Sequence, residues 1–445
     1  MFFRKILIAN RGEIASRIIR TCKRLNIPTV AIYSEPDAQA PFVKLADESF
    51  PLGGSQVNES YLNMNKIIAI AKKADVDAIH PGYGLLSENA DFAKRCEMEG
   101  ITFIGPSSTC IEKMGNKIAA RQAMKAAGVP IIPGTDEPIT SIEVAKEHAE
   151  HLGYPVMVKA SAGGGGIGMQ MVSNEEELEK AIDSNATRAK NFFGDGTLYL
   201  EKVIKNAHHI EIQLLADQMG NTLHLYDREC SIQRRHQKVI EEAPSPLLSE
   251  ETRLYMGETA IKAAKAIQYS SAGTIEFLVD EEQHFYFLEM NTRLQVEHPV
   301  TEEITGLDIV EKQIEIASGK SLTLKQSDIK ITGHSLEARI YAEDPKTFYP
   351  SPGKITTMKC PEGKQIRHEL GVQEGFTVSP FYDPMIAKLI VTGHDRMEAL
   401  YLLNEAVDAY IIKGIKTNLP FIQQILKTDA FKNGRTRTSF IHDYI

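Results

Sequence analysis

The sequence predicts a multidomain protein of mixed class, α/β at its N-terminal end and α+β beyond it. Two observations carry this expectation. Short apolar runs alternate with amphipathic stretches in the first part of the chain, the pattern of βα units around a parallel sheet. Later segments alternate apolar and polar residues with a period of two, the pattern of strands with one packed face. At 445 residues the chain is also long for one compact core, which sets an expectation of about three domains.

Taken in order, residues 5–9 read as a buried strand. Ile14, Ile18, Cys22 and Leu25 then recur at helical spacing, and residues 29–33 form a second strand after Pro28. Further units follow at Ala78-Ile79-His80 and at residues 101–104. The region is Rossmann-like, yet no G-x-G-x-x-G turn follows its first strand, which weighs against a dinucleotide site. From about Asn116 the texture changes: a helix runs to Ala127, Gly128-Val129-Pro130 ends it, and strands at 155–160 and 169–172 flank a glycine run. In residues 209–215, Ile210, Ile212 and Leu214 fall on a packing face, leaving His209, Glu211 and Gln213 available for ligands. A third region from about Gly333 carries strands, the turn Pro350-Ser351-Pro352-Gly353 and a helix near 396–410.

Composition excludes several classes. Hydrophobic residues at 42% and charged residues at 24% are ordinary for a globular protein. A formal charge of −9 argues against nucleic acid or an anionic membrane as partner, so an anionic ligand must meet a local basic cluster. Cys22, Cys96, Cys110, Cys230 and Cys360 are scattered and odd in number, which reads as a reduced interior. Arg4 and Lys5 precede an apolar stretch broken at once by Asn10 and Arg11, too short for a signal sequence. No apolar run is long enough to span a bilayer, and a cytoplasmic protein is expected.

The residues that carry chemistry cluster in a few segments. The run Ala162-Gly163-Gly164-Gly165-Gly166-Ile167-Gly168 can close backbone N–H groups on phosphate oxygens and move as a lid, with Lys159 placing a cation nearby. A flexible hairpin loop would look the same, and no G-K-[ST] makes it a P-loop. Residues 273–280 and 285–291 should form a hairpin carrying Glu276, Glu289 and Asn291 within apolar strands. A hard divalent cation completed by phosphate oxygens would resolve the cost of burying those carboxylates. A solvated edge hairpin is the plainer alternative. In the segment that follows, Arg293, Gln295 and Glu297 stand at alternate positions. If it stays extended they share a pocket, as an oxyanion grip, a donor and a general base. The run Arg228-Glu229-Cys230-Ser231-Ile232-Gln233-Arg234-Arg235-His236-Gln237-Lys238 is the basic cluster, whether solvated turn or anion site. In His80-Pro81-Gly82-Tyr83-Gly84, Tyr83 is a candidate for a heterocyclic substrate and Ser87 for the cap of the next helix.

Taken together, these segments resemble the biotin carboxylase family of the ATP-grasp superfamily over almost the whole chain. The motifs that carry the resemblance are Ile8-Ala9-Asn10-Arg11-Gly12-Glu13-Ile14-Ala15, His80-Pro81-Gly82-Tyr83-Gly84, the glycine loop, Gln233-Arg234-Arg235-His236-Gln237-Lys238 and residues 289–299, in that order. The resemblance implies a Rossmann-like domain at 1–114, an ATP-grasp domain at 115–332 with a mobile glycine-rich lid at about 131–204, and a C-terminal biotin carboxylase domain at 333–445. It implies Lys117 and Lys159 on the ATP phosphates, with Gly165 and Gly166 in the lid. Glu201, Lys202, Val203 and Ile204 would form the adenine hinge, with His209, Gln233 and His236 around the nucleotide. Glu276, Glu289 and Asn291 match the metal positions for Mg²⁺ or Mn²⁺. Lys238, Arg293, Gln295 and Val296 match the bicarbonate site, Glu297 the base, and Arg339 the arginine that contacts bicarbonate and stabilises the biotin enolate. Three positions depart from the family pattern: Ala162 replaces a glycine, Ile167 a basic residue and Val203 an aromatic.

The activity implied is ATP- and bicarbonate-dependent carboxylation of biotin through carboxyphosphate. The biotin is expected on a carboxyl carrier protein or biotinyl domain, because Met124-Lys125 and Met358-Lys359 lack the Ala-Met-Lys-Met context of a biotinylated turn. A separate carboxyltransferase would choose the acyl-CoA or keto-acid acceptor, and the chain is expected to be a homodimer. The rival readings are another ATP-grasp ligase, such as a carbamoyl-phosphate synthase domain or a purine-pathway carboxylase, a catalytically silent nucleotide-binding regulator, and a nicotinamide oxidoreductase.

Overall fold

The computed structural model describes residues 3–161 and 168–445. The lid expectations at Gly165 and Gly166, with Ala162 and Ile167, therefore lie outside the described residues. At the N-terminal end, strands Ile6–Ile8, Thr29–Ser34, Glu48–Gly53, Ala78–His80 and Thr102–Phe103 form a parallel sheet in the order third, second, first, fourth, fifth. That is the doubly wound order expected of Rossmann-like units. Helix Gly12–Arg24 buries Ile14, Ile18 and Cys22 of the stripe its spacing foretold, together with Ile19, while Leu25 stands just past its end and is half-buried.

This topology brings two distant motifs together at the carboxyl ends of neighbouring strands. Ile8 pairs with His80, and Asn10 Nδ2 donates to the carbonyls of Pro81 (2.6 Å) and Tyr83 (2.8 Å). Gly82 has φ +64°, and a Cβ there would stand 2.9 Å from the Asn10 amide, so the turn requires glycine. The next helix, Ala90–Met98, is capped by Asn89, whose side chain accepts from the Phe92 N–H. Ser87 is not the cap. The chain makes a further turn over 85–88 before the helix begins, which leaves Ser87 buried short of the first free N–H groups.

An eight-stranded antiparallel sheet fills the rest of the body, in the order Phe285–Asn291, Ser271–Val279, His208–Ala216, Thr222–Arg234, Gln237–Ala243, His334–Tyr341, Met385–Gly393 and Ile366–Leu370. It runs unbroken past residue 333, because Gln237–Ala243 pairs directly with His334–Tyr341. One core accordingly joins all three regions, with Ile8 and Ile18 packed in the same cluster as Leu215, Ile240, Ile340, Leu389 and Ile422. By contrast, strands Met169–Val172, Val156–Ala160 and Leu198–Lys202 make a small antiparallel sheet covered by helices Ile142–Leu152 and Glu175–Phe193. This unit has a core of its own built on Ala145, Val156, Val158, Leu178 and Leu200. Among the described residues no helix is long and apolar enough to cross a membrane. None of the five cysteines is in a disulfide.

Candidate active site

The hairpin expected from the acidic strands is present, and its register sets the two carboxylates face to face. Glu276 pairs with Glu289 and Thr274 with Asn291, with a register shift immediately after Glu276. Such an irregularity re-aims side chains at the rim of a site. Lys117, at the start of helix Lys117–Ala126, donates to Glu289 Oε2 at 2.9 Å. Its charge, acting against burial, holds the Glu289 carboxyl down at about 2. Glu276 Oε1 accepts from Asn291 Nδ2 (2.6 Å) and Gln295 Nε2 (2.7 Å), and His209 Nε2 lies 2.8 Å from its other oxygen. Burial disfavours a charged His209, but the Glu276 carboxylate outweighs it and raises the imidazole to about 9.

The segment after the hairpin does not stay extended: the chain turns at Val296 and Glu297 and enters helix His298–Thr305. Arg293, Gln295 and Glu297 nonetheless line one cavity of about 320 Å³, together with Lys117, Lys159, His209, Gln233, His236, Lys238, Glu276, Glu289, Asn291, Val296 and Arg339. Glu297 sits between two cations, with Lys238 Nζ 2.6 Å from one carboxylate oxygen and Arg339 Nη2 2.9 Å from the other. Burial would raise its pKa, yet Lys238 and Arg339 pull it below the ordinary carboxylate range. Lys238 is buried among Glu211, Glu276 and Glu297, and the three charges keep its ammonium well above its usual pKa despite desolvation. Arg293 donates through Nε to Glu88 Oε2 (2.7 Å) and through Nη2 to Asn291 Oδ1 (2.8 Å).

The donor set fits a hard divalent cation. Facing carboxylates of Glu276 and Glu289 beside the Asn291 amide offer oxygen ligands at the cavity wall, where Lys117, Lys238 and His209 balance the negative charge. A second grouping, His209, Glu211 and Glu276, has ligand atoms within 4.8 Å of one another. Glu211 there is already held by Arg228 and Lys238.

Other expected residues fall elsewhere. Glu201, Lys202, Val203 and Ile204 do not line this cavity. The Glu201 carboxylate is held by Arg121 (2.8 Å) and Lys159 (2.5 Å), while Lys202 Nζ donates to the carbonyls of Leu152 and Gly153. Tyr83 lies in an adjoining cavity of about 470 Å³ that shares Arg293, Val296 and Arg339 with the first. Its hydroxyl is bonded to Glu13. The basic run is neither a solvated turn nor wholly an anion site. It forms a hairpin whose two-residue turn, Arg235 and His236, takes positive φ at both positions (50° and 65°). Arg228 is completely buried, and Arg234 pairs with Glu343 and stacks 4.1 Å over Phe348. Residues that the motifs did not point to are Glu88, which holds Arg293, and Glu241, which holds Arg339, while Arg228 of the basic run holds Gln295 rather than an anion. A larger cavity of about 550 Å³ lies apart, walled by mutually paired Arg17, Arg20, Glu302, Arg367 and Glu369, and contains none of the candidate residues.

Comparison with known proteins decides between the rival ligases. Residues 116–325 match the family model of the carbamoyl-phosphate synthase L chain ATP binding domain, which by itself does not separate a biotin carboxylase from a carbamoyl-phosphate synthase domain. Residues 2–111 and 337–443 match the models of the biotin carboxylase N-terminal and C-terminal domains. The chain belongs to the biotin carboxylase family. It is 62% identical over 443 residues to "Biotin carboxylase 2" of Bacillus subtilis, with 100% of each chain covered. It is also similar to the biotin carboxylase of Haemophilus influenzae, at 50% identity over 98% of this chain and 98% of that one. Among solved structures, the Campylobacter jejuni biotin carboxylase in a β,γ-ATP complex superposes with a TM-score of 0.97 at 50% identity, covering 99% and 98% of the two chains. The biotin carboxylase domain dimer of Hydrogenobacter thermophilus 2-oxoglutarate carboxylase, in complex with MgADP, ADP and bicarbonate, gives 0.96 at 49% identity, covering 100% and 98%. This biotin carboxylase is an ATP-dependent ligase of the ATP-grasp type. Its reaction is the ATP- and bicarbonate-dependent carboxylation of biotin, the first half-reaction of a biotin-dependent carboxylase, with Mg²⁺ as cofactor.

Proposed function

We propose that the residues gathered in the 320 Å³ cavity divide that reaction between them, and that Glu297, held between Lys238 and Arg339, is the observation that carries the assignment. Glu297 is a carboxylate at neutral pH and takes the bicarbonate proton, with Lys238, Arg293, Gln295 and the Val296 backbone gripping the anion. The bicarbonate oxygen then attacks the γ-phosphorus of ATP and ADP leaves, giving carboxyphosphate. Lys117 and Lys159 offset charge on the transferring phosphoryl group, alongside His209, Gln233, His236 and the hinge at 201–204. Glu276, Glu289 and Asn291 would hold a divalent cation, which would supply positive charge to the phosphate oxygens. Carboxyphosphate breaks down to CO₂ and phosphate. The phosphate removes the ureido proton of biotin, Arg339 stabilises the enolate oxygen, and the ureido nitrogen attacks CO₂. The lid at about 131–204, whose own core supports independent motion, closes over the nucleotide.

The three-domain division at 114/115 and 332/333 belongs to the same proposal. So do a biotinylated carrier as the natural substrate, a separate carboxyltransferase, a homodimeric assembly and a cytoplasmic setting with reduced thiols. Tyr83, which lines the adjoining cavity, belongs to this proposal as a biotin contact. Steady-state assays of ATP cleavage and biotin carboxylation test the core assignment. Glu297→Gln is expected to lose both activities, whereas Arg339→Ala retains more bicarbonate-dependent ATP cleavage than carboxylation. Equal losses in Arg339→Ala would remove the enolate role, and near-normal ATP cleavage in Glu297→Gln would remove the base.

A further inference from the structure

Arg339 is gripped by two carboxylates, only one of which belongs to the proposed reaction. Its Nη2 reaches Glu297 Oε2 at 2.9 Å, and its Nε donates to Glu241 Oε1 at 2.5 Å. Glu241 is fully buried in strand Gln237–Ala243, on the strand next to that of Arg339, and its Oε1 lies 2.5 Å from both Nε and Nη2, so that Nη2 is shared between Glu241 and Glu297. Directly opposite Glu241 in the register is Glu337, also fully buried, with neither carboxylate oxygen hydrogen-bonded among the described residues. Two facing buried carboxyls cannot both ionise cheaply. Burial pushes the Glu241 carboxyl up to about 7 against the pull of Arg339, whereas Glu337, without a hydrogen-bonding cation, is pushed well above the ordinary range. The nearby buried Lys388 is directed to the Val296 carbonyl at 2.5 Å rather than to Glu337.

We propose that Glu241 is the positioning residue for Arg339, holding the guanidinium through Nε and Nη2 while Glu297 exchanges its proton. The proposal rests on the enolate-stabilising reading of Arg339 and adds a physical requirement to it. When Glu297 accepts a proton it loses its charge and with it most of its hold on Arg339, at the step before the guanidinium must stabilise a developing enolate. A second carboxylate that takes no part in the proton transfer keeps the group aimed through that change. It touches no substrate, so its effect passes through Arg339 alone. Glu337, whose carboxylate makes no hydrogen bond among the described residues, occupies space beside the pair without sharing this role.

A double-mutant cycle on the full chain at pH 8, where Glu241 is ionised, tests this, with carboxybiotin formed per ATP cleaved as the readout. Glu241→Gln is expected to lower that ratio about tenfold, the effect of losing one charged hydrogen bond, with MgADP affinity unchanged. Glu241→Asp, which keeps the charge, should restore part of the ratio, and Glu337→Gln should leave it at the wild-type value. In the Arg339→Ala background, adding Glu241→Gln should change nothing further. A wild-type ratio in Glu241→Gln, or a further loss of about threefold or more in the background lacking Arg339, overturns the proposal. If Arg339→Ala alone fails to uncouple the two activities, the enolate reading falls. The Glu241 proposal is then judged by whether Glu241→Gln reproduces the defect that Arg339→Ala does show. If Glu241→Gln does not fold, Glu241→Asp carries the same comparison, and an additive loss with Arg339→Ala refutes it.

Discussion

Replacing Arg228 by leucine should destabilise the protein more than almost any other single change near the site. Arg228 is completely buried. Its Nε and Nη2 reach Glu211 Oε2 at 3.2 and 3.1 Å, Nη1 donates to Gln213 Oε1 (2.7 Å) and Thr301 Oγ1 (3.0 Å), and Nη2 also serves Thr274 Oγ1 (3.1 Å) and Gln295. Removing one partner of a buried ion pair costs about 3–5 kcal/mol, because the other charge stays behind. Glu211 keeps Lys238, which moves the estimate toward the lower end, but the stranded oxygens of Gln213 and Gln295 each add about 1–3 kcal/mol. A loss of about 5 kcal/mol or more is expected, read from the shift of the urea midpoint at constant slope. Arg228→Lys should recover less than half, since an ammonium cannot serve partners on several sides of a planar fork. Gln295 would also lose its anchor, so KM for bicarbonate should rise in whatever fraction folds. A loss below about 1 kcal/mol in Arg228→Leu would mean that this network is not the structural centre of the site.

Further outcomes follow from the hairpin and from the buried ion pairs. Glu276→Gln and Glu289→Gln should each require several times more Mg²⁺ for half-maximal ATP cleavage, measured across a metal titration. Wild-type metal dependence in both variants would take them out of the metal site. Burial would raise the Glu369 carboxyl, but Arg20, Arg367 and Arg17 hold it at about 2. Because that folded-state value lies below the ordinary carboxylate range, this contribution is full above about pH 5. It is lost as the pH falls through the window from about 4.5 toward 2, where the unfolded chain takes up the proton first. The whole contribution is about 3 kcal/mol. Glu369→Gln should therefore flatten the acid limb of a stability-against-pH curve, and an unchanged limb would refute the assignment.

How far the sequence revealed the molecule depends on whether a residue's partners lie close along the chain. Four strands of the parallel sheet were legible from their apolar runs, whereas the edge strand Glu48–Gly53, largely exposed and carrying Pro51, shows no such run; the acidic hairpin was legible because Glu276 and Glu289 break otherwise apolar strands across one short turn. What failed were inferences about groups whose partners are remote. Arg228 reads as part of a surface cluster because its neighbours in sequence are polar, yet its bonds go to Glu211, Thr274, Gln295 and Thr301 on four other segments. The turn at Arg235 and His236 was invisible because neither residue is one that ordinarily accepts positive φ. The hinge and lid side chains could be assigned only by resemblance, since the strand Leu198–Lys202 carries no pattern that distinguishes binding from packing.

Glu241 shows that part of the missed information was available. Val239-Ile240-Glu241-Glu242-Ala243 is an apolar strand interrupted by two acids, the same anomaly that drew attention to Glu276 and Glu289. Alternation sends the two acids to opposite faces, so each must find its own cation. It does: Glu242 takes Arg396 and His334 on one side of the sheet, while Glu241 takes Arg339 on the other. A carboxylate in an apolar strand therefore demands a partner, and the sequence states the demand without saying who meets it. In the hairpin of Glu276 and Glu289 the demand is met by Lys117, Lys238 and His209 at the wall of a cavity. In the strand Gln237–Ala243 it is met by fixed guanidinium groups, and the difference between a ligand site and a scaffold lies in that distinction.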